Sequence, residues 1–341
     1  MRCLRELVFS VTNRCTARCR DCPVVHEGRP PLSLSADEMI RIMGDILPFG
    51  FLQLVVFTGG EPFLIGDDLK KAVEYAASHG VLTRIVTNAY WATTKEKATE
   101  ILQDLKQAGL TELNISCDDF HQEFVPLENI RNANDAALAI GLPLLLAYRK
   151  NPGGVIDRDY LSKYLGVELK TFVYGEDNPK NNVILDGVNI PIKSERAQDS
   201  SGCSDNSWRG PCESVLTRVV IAPDKRVQIC CGIASSSIEE LYIGTLYKDG
   251  NLLEILQSGN ADLMTNWLAL EGPSSILDFV RSKDRGIDLP DTYVNRCHAC
   301  NELFSRRDVR EILARHGAEK CSMVEVMRGI LDWATDDWSH S

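Results

Sequence analysis

Between residues 7 and 174, short apolar runs alternate with longer amphipathic ones, and this alternation limits the fold more than any single residue does. Leu7 to Val11, Leu54 to Thr58, Leu82 to Thr87, Glu112 to Ser116, Pro143 to Tyr148 and Glu168 to Tyr174 read as strands. Between them the pattern is helical. A capping box, Ser35-Ala36-Asp37-Glu38, opens a segment from Met39 to Leu47, and Asp67 and Asp68 start a helix to His79 closed by Gly80. Thr93-x-x-Glu96 caps the next helix, which stops at Gly109; further helices are expected at 127–140, closed by Gly141, and at 157–165. Such alternation means a parallel sheet with right-handed crossovers. Six β/α units fit a partial barrel, with a doubly wound open sheet as the competing α/β fold, and periodicity does not separate the two.

The 341 residues have room for one barrel-sized domain and a smaller one. We expect the barrel at 1–175, a linker at 176–211 and a C-terminal domain at 212–341. A net charge of −11 argues against a broad nucleic-acid or anionic-membrane footprint. No secretory signal stands at the N-terminus and no apolar run approaches the length of a spanning helix. Twelve cysteines in such a chain point to metal ligands rather than disulfides, and to a cytoplasmic, oxygen-sensitive protein.

Where the first strand ends lies Cys15-Thr16-Ala17-Arg18-Cys19-Arg20-Asp21-Cys22, three thiols spaced C-x₃-C-x₂-C. Three thiolates on one short loop suit a cubane iron–sulfur cluster with one iron left open for chemistry. Zinc with His26 as a fourth ligand, and unconnected buried thiols, are the competing readings. Gly59-Gly60-Glu61-Pro62 begins thirty-seven residues after Cys22, directly after the second strand.

With both motifs in order at strand ends, the chain resembles the radical S-adenosylmethionine (SAM) superfamily. The resemblance implies a partial (β/α) barrel in which Cys15, Cys19 and Cys22 ligate a four-iron cluster, with SAM chelating the open iron. It implies that Gly59 and Gly60 let the backbone approach the methionine end of SAM, with Glu61 near its ammonium and Pro62 completing the motif. Strand-end positions in such barrels carry ligands, which makes Asn88, Ser116 and Arg149 candidates for contacts to SAM. His121, in Asp118-Asp119-Phe120-His121, is either a solvated loop residue or a substrate contact.

From about residue 175 the composition turns to Asn, Asp, Ser, Pro and Gly, which reads as a long loop crossing the barrel mouth. Then follow Pro211-Cys212, a strand from Val215 to Ala222, the turn Pro223-Asp224-Lys225-Arg226, a strand from Val227 to Ile229, and Cys230-Cys231-Gly232. Cys297-His298-Ala299-Cys300 lies far downstream. Cys212, one of the adjacent pair (Cys230 is our choice), Cys297 and Cys300 supply four thiolates, enough to close a second cubane. Neighbours on a strand point to opposite faces, so only one of Cys230 and Cys231 is expected as a ligand. This region resembles the SPASM/twitch extension of the same superfamily, which implies auxiliary clusters. The spacing of Cys203, Cys212, Cys230, Cys231, Cys297, Cys300 and Cys321 departs from the seven-cysteine SPASM pattern, and we expect one cluster. A zinc ribbon is the competing reading. Helices are expected at 251–257, 260–271, 274–283, 305–316 and 322–334.

By resemblance the activity is reductive cleavage of SAM to a 5′-deoxyadenosyl radical that takes hydrogen from a substrate carbon. A ribosomally made peptide is the expected substrate, changed by epimerisation, crosslinking or oxidation, with flavodoxin or ferredoxin as electron donor. A small sugar or antibiotic is the alternative substrate, and a non-catalytic iron–sulfur or zinc protein the alternative class. An epimerase needs a thiol hydrogen donor, for which Cys230, Cys231 and Cys321 are candidates. No leader-binding domain precedes the first strand, so the barrel mouth, the C-terminal part or a partner is expected to recognise the substrate.

Overall fold

The computed structural model describes residues 3–20, 22, 24, 30–149, 153–171, 183–187, 208–232, 235–293 and 295–336. The chain divides into two compact units, Glu6–Asn189 with Ile221–Asp224, and Met1–Arg5 with Ile190–Val220 and Lys225–Ser341.

The first unit alternates strands and helices: β1 (Glu6–Thr12), α1 (Ala36–Gly44), β2 (Leu54–Gly59), α2 (Asp67–Ser78), β3 (Leu82–Thr87), α3 (Lys95–Gln107), β4 (Glu112–Ser116), the single turn α4 (Asp119–Gln122), α5 (Leu127–Ile140), β5 (Leu144–Arg149), α6 (Arg158–Leu165), β6 (Lys170–Thr171) and β7 (Val183–Gly187). The strands form one parallel array in the order β1-β2-β3-β4-β5-β7-β6. Leu7, Phe9, Val11, Val55, Phe57, Ile85, Leu113 and Ile115 are fully buried on one face, and Phe9 stacks on Phe57 with ring centroids 6.0 Å apart. The other face is mixed. Val8 pairs with Val56 and Ser10 with Thr58, and Arg84 is held bidentately by Glu112 on the next strand at 2.6 and 3.2 Å. A doubly wound sheet is apolar on both faces because helices cover both; the polar residues on this face fit the barrel expectation instead.

Helix ends follow local chemistry. The Ser35–Glu38 capping box is formed in both directions at α1. At α3 the cap is Thr94, not the expected Thr93: its hydroxyl accepts from Lys97 N at 3.2 Å. Thr93 and Thr94 are both good caps, and the register of the buried Ala98, Leu102 and Leu105 decides between them. Two further expectations are corrected. The sixth strand is only two residues long and lies at the array's edge, because β7 inserts between it and β5. The proposed linker at 176–211 therefore contains a strand of the sheet, and the first unit extends to Asn189 rather than 175. Val183 to Leu185 is a short apolar run that pairs with β5 despite its polar surroundings.

The second unit holds β8 (Arg218–Ile221), β9 (Arg226–Gln228) and β10 (Tyr242–Thr245), with β10 antiparallel to β9. Six helices follow: α7 (Leu252–Ala261), α8 (Leu263–Leu270), α9 (Gly272–Lys283), α10 (Arg296–Ser305), α11 (Arg307–His316) and α12 (Cys321–Asp336). Trp267 and Leu268 on α8 are core residues, with Trp267 edge-on to Phe279 at 5.1 Å. α10 was not legible in the sequence. It carries no clear apolar stripe, and its start is set by Asn295, which accepts from His298 N at 2.9 Å. Among the described residues no helix is long and apolar enough to cross a membrane.

Candidate active site

The cysteine loop begins where β1 stops, and its base is closed by Thr12 and Asn13. The Thr12 hydroxyl donates to Leu32 O at 2.8 Å, while Asn13 bonds Pro30 O and Leu32 N, both at 2.8 Å. Cys15, Cys19 and Cys22 are half-buried and outside any disulfide, and Cys22 N donates to Cys19 O at 3.2 Å. Burial pushes the Cys15 thiol up to about 11, with the charges of Glu61, Cys22 and Cys19 adding to the rise and the Ala17 N–H opposing it. The three sulfurs are thus near enough to repel one another as thiolates. His26, the candidate fourth ligand for zinc, lies outside the described residues.

The two glycines after β2 serve this loop directly. A Cβ on Gly59 would stand 2.6 Å from Thr12 O, and one on Gly60 would stand 1.9 Å from Arg14 O. Gly60 N donates to Thr12 O at 2.6 Å and Glu61 N to Arg14 O at 2.8 Å. Close approach is therefore what these glycines provide, as expected, but the backbone they meet is the protein's own cysteine loop. Pro62 is buried at the start of a short 3₁₀ turn.

Glu61 is completely buried. Its carboxylate accepts from Thr87 Oγ1 at 2.7 Å, Asn88 N at 2.9 Å and Phe63 N at 3.2 Å. Burial raises its pKa to about 7 against those three hydrogen bonds, which favour the charge. Glu61 thus ties β2 to β3 from inside the protein. Asn88 is also buried; its side-chain amide lies 3.6 Å from Cys15 Sγ and 3.1 Å from Thr16 Oγ1.

Ser116 is half-buried at the end of β4. Arg149 ends β5, where its N–H donates to Asp118 Oδ2 at 3.2 Å. Its guanidinium lies 3.7 Å from the Phe120 ring centroid and donates to Arg20 O at 3.2 Å, so it braces the cysteine loop. His121 lies 2.7 Å from Asp118 Oδ1. Its burial opposes the charge, but hydrogen bonds to Asp118 and Cys19 carry the imidazole's pKa up to about 10. Sequence reasoning placed His121 in a loop and missed that it faces a cysteine. It also missed Asn129, which is buried on α5 and donates to Tyr90 O at 2.9 Å and Ala89 O at 3.3 Å. Asn is a poor helix interior residue, and three of them within 129–134 were a readable signal.

In the second unit, Cys212, Cys230, Cys297 and Cys300 share one place. Desolvation pushes the Cys300 thiol up and the charges of the first three add to the rise, as those of Cys212 and Cys297 do for buried Cys230. A Cβ on Gly232 would meet Cys297 Sγ at 3.1 Å and Cys230 Sγ at 3.6 Å. Cys297 and Cys300 are three apart on the first turn of α10, so they project from one side of it. Cys230 is buried and Cys231 is exposed. Cys321 opens α12 and Cys203 lies outside the described residues.

The donor sets fit iron–sulfur clusters. Buried thiols at high pKa ionise only beside a compensating positive charge, which iron supplies. A cubane asks for one thiolate at each of several irons.

Residues 9–140 match the family profile described as the Radical SAM superfamily, so this chain carries a radical SAM domain. That family implies a four-iron cluster and SAM as cofactors. Along 310 residues, 88% of this chain and 92% of the relative, the sequence is 23% identical to YydG of Bacillus subtilis (strain 168), a protein named for peptide biosynthesis. It is 37% identical to the GTP 3′,8-cyclase of Listeria monocytogenes serovar 1/2a over 124 residues, only 34% of either chain. The fold is similar to that of anSMEcpe with bound AdoMet at a TM-score of 0.51 and 14% identity, covering 95% of this chain and 100% of that one. A structure of anSMEcpe with a Kp18Cys peptide gives a TM-score of 0.50 at 12% identity, covering 95% and 99%.

Proposed function

We propose that this radical SAM enzyme modifies a ribosomally made peptide, that Cys212, Cys230, Cys297 and Cys300 hold a second four-iron cluster, and that the modification is an epimerisation. The observation that carries the reading is the split fate of the adjacent cysteines: Cys230 is buried with three other thiols while Cys231 is exposed beside them. The near full-length similarity to YydG supports the peptide class, because the match to the cyclase covers only 34% of either chain.

Cys15, Cys19 and Cys22 would hold the cluster, which with SAM would supply abstraction of a hydrogen atom from a substrate carbon. This chain's own residues do the remaining work. The Gly59–Glu61 backbone, Asn88, His121 and Arg149 hold the cysteine loop in place. Cys231 returns a hydrogen atom from its S–H to the opposite face of the substrate carbon, and the sulfur radical left behind takes an electron and a proton to restore the thiol. Flavodoxin or ferredoxin is the proposed electron donor.

The reaction is tested anaerobically with SAM, a strong reductant and a peptide substrate in D₂O. A gain of about one mass unit, lost in Cys231→Ala with 5′-deoxyadenosine still formed, is the expected result, because the thiol exchanges its hydrogen with solvent. A loss of about two mass units reassigns the reaction to oxidation or crosslinking. Turnover of a sugar or antibiotic but no peptide reassigns the substrate, and absence of 5′-deoxyadenosine with every substrate sinks the catalytic reading.

A further inference from the structure

The turn after β3 is more heavily fixed than a loop between a strand and a helix requires. Ala89 adopts φ 61°, a left-handed conformation that strains a residue with a Cβ. Such strain persists where the surroundings over-determine it, and it gathers at functional sites. Here the surroundings are on display. Ala89 N and Trp91 Nε1 both donate to Thr87 Oγ1 at 3.1 Å. The Thr87 hydroxyl itself donates to the buried Glu61 carboxylate, and Trp91 stacks on Phe63 with centroids 4.4 Å apart. From α5, Asn129 takes the carbonyls of Ala89 and Tyr90, and Asn132 takes that of Ala92 at 3.0 Å.

All of this converges on Asn88. Its main-chain N–H is anchored to Glu61 Oε2. Its side-chain orientation is fixed by bonding logic: Tyr90 N, an obligate donor, lies 3.0 Å from one amide terminus, which must be Oδ1. The NH₂ therefore faces the other way, toward Cys15 Sγ at 3.6 Å and Thr16 Oγ1 at 3.1 Å. A neutral donor is thus aimed at a cluster sulfur by groups that do not depend on a bound ligand.

We infer that Asn88 is a positioning residue that donates an N–H···S hydrogen bond to the Cys15 thiolate and so raises the reduction potential of the cluster held by Cys15, Cys19 and Cys22. The inference rests on the proposed reading of those cysteines as cluster ligands. Hydrogen bonds to cluster sulfurs are one of the protein's levers on potential, since they stabilise the more negative, reduced state. Asn88 is then a determinant of how readily the cluster accepts its electron, where the resemblance alone suggests a contact to SAM.

The test is a potentiometric titration of reconstituted full-length protein, following the EPR signal of the reduced cluster that changes on adding SAM. Wild type is compared with Asn88→Ala, which deletes the donor, and Asn88→Asp, which keeps the shape and the bond from Tyr90 N but turns a carboxylate toward the sulfur. SAM affinity and iron per chain are measured on the same samples. At the wild-type midpoint we expect the reduced-to-oxidised ratio to fall about threefold in Asn88→Ala and about tenfold in Asn88→Asp, the latter being 59 mV for a one-electron couple. SAM affinity should change less than twofold. Unchanged midpoints in both variants at full iron content overturn the inference, and weakened SAM binding with unchanged midpoints returns Asn88 to the role of SAM contact. Wild-type protein that takes up no iron overturns the cluster reading itself, and the inference with it.

Discussion

Cys15, Cys19 and Cys22 come from eight consecutive residues, whereas Cys212, Cys230, Cys297 and Cys300 come from three separate stretches across 89 residues. The first group is half-buried, on a loop held by hydrogen bonds from its neighbours in the fold, with Asn88 and His121 facing two of its sulfurs. In the second group Cys230 is buried and the other three are half-buried, and the fold itself assembles the set by bringing the end of a hairpin to the start of a helix. Three thiols leave a metal position open for a reactant, whereas four close it. On the function proposed above, the contrast is that between a reaction centre and an electron store or staple.

The largest expected effect separates the two outright. Replacing Cys15, Cys19 and Cys22 together with Ala should lower iron from about eight to about four per chain and abolish formation of 5′-deoxyadenosine. Replacing Cys212 and Cys297 should remove the other four and leave SAM cleavage measurable in the absence of peptide. Zinc in place of those four irons would make the second site a structural ribbon, and loss of all iron from either variant would break the comparison.

Next in size is Gly60→Ala. Its Cβ would enter the space of Arg14 O at 1.9 Å, backbone against backbone, and a cost of about 4 kcal/mol is expected from such a clash. It should appear as a lower denaturation midpoint of the metal-free protein. Gly232→Ala is the matching change at the second site, where the nearest atom is a sulfur at 3.1 Å that has room to give. About 1 kcal/mol is expected there, so equal costs would argue that the two sites are equally rigid.

Between these lies a pH effect confined to the first unit. Glu61 has its folded-state pKa raised from 4.5 to about 7, so the stability it confers is fully present below pH 4.5 and is lost as pH rises through 7. At 1.36 kcal/mol per unit, about 3 kcal/mol separates the two ends. Glu61→Gln should flatten that part of the stability profile of the metal-free protein. An unchanged slope in urea titrations between pH 4.5 and 7 would place the titration on another group.

The first site was legible because its chemistry is local: three cysteines, a strand before them, and a Gly-Gly-Glu-Pro after the next strand. What those residues contact was not. Gly59 and Gly60 read as approach points for a ligand, yet the atoms crowding them belong to Thr12 and Arg14, a juxtaposition created by parallel pairing of β1 with β2. His121 read as a loop residue because its link to Cys19 spans about a hundred positions. The strand at Val183–Gly187 was hidden by polar composition on both sides and by its insertion out of sequence order. Cys297 and Cys300 were found by spacing alone, while the helix carrying them has too little amphipathic pattern to be seen.

The pairing of Gly60 and Glu61 with Thr12 and Arg14 also bears on how the enzyme recovers from damage. These bonds use only main-chain atoms of the protein, so the entrance to the cysteine loop is already shaped when folding ends, and the entropy of ordering it is not charged to iron uptake. A chain stripped by a chelator should then reload its first cluster in a single fast phase without a preceding refolding step. Repair after oxygen exposure would be limited by the supply of iron and sulfide rather than by the polypeptide.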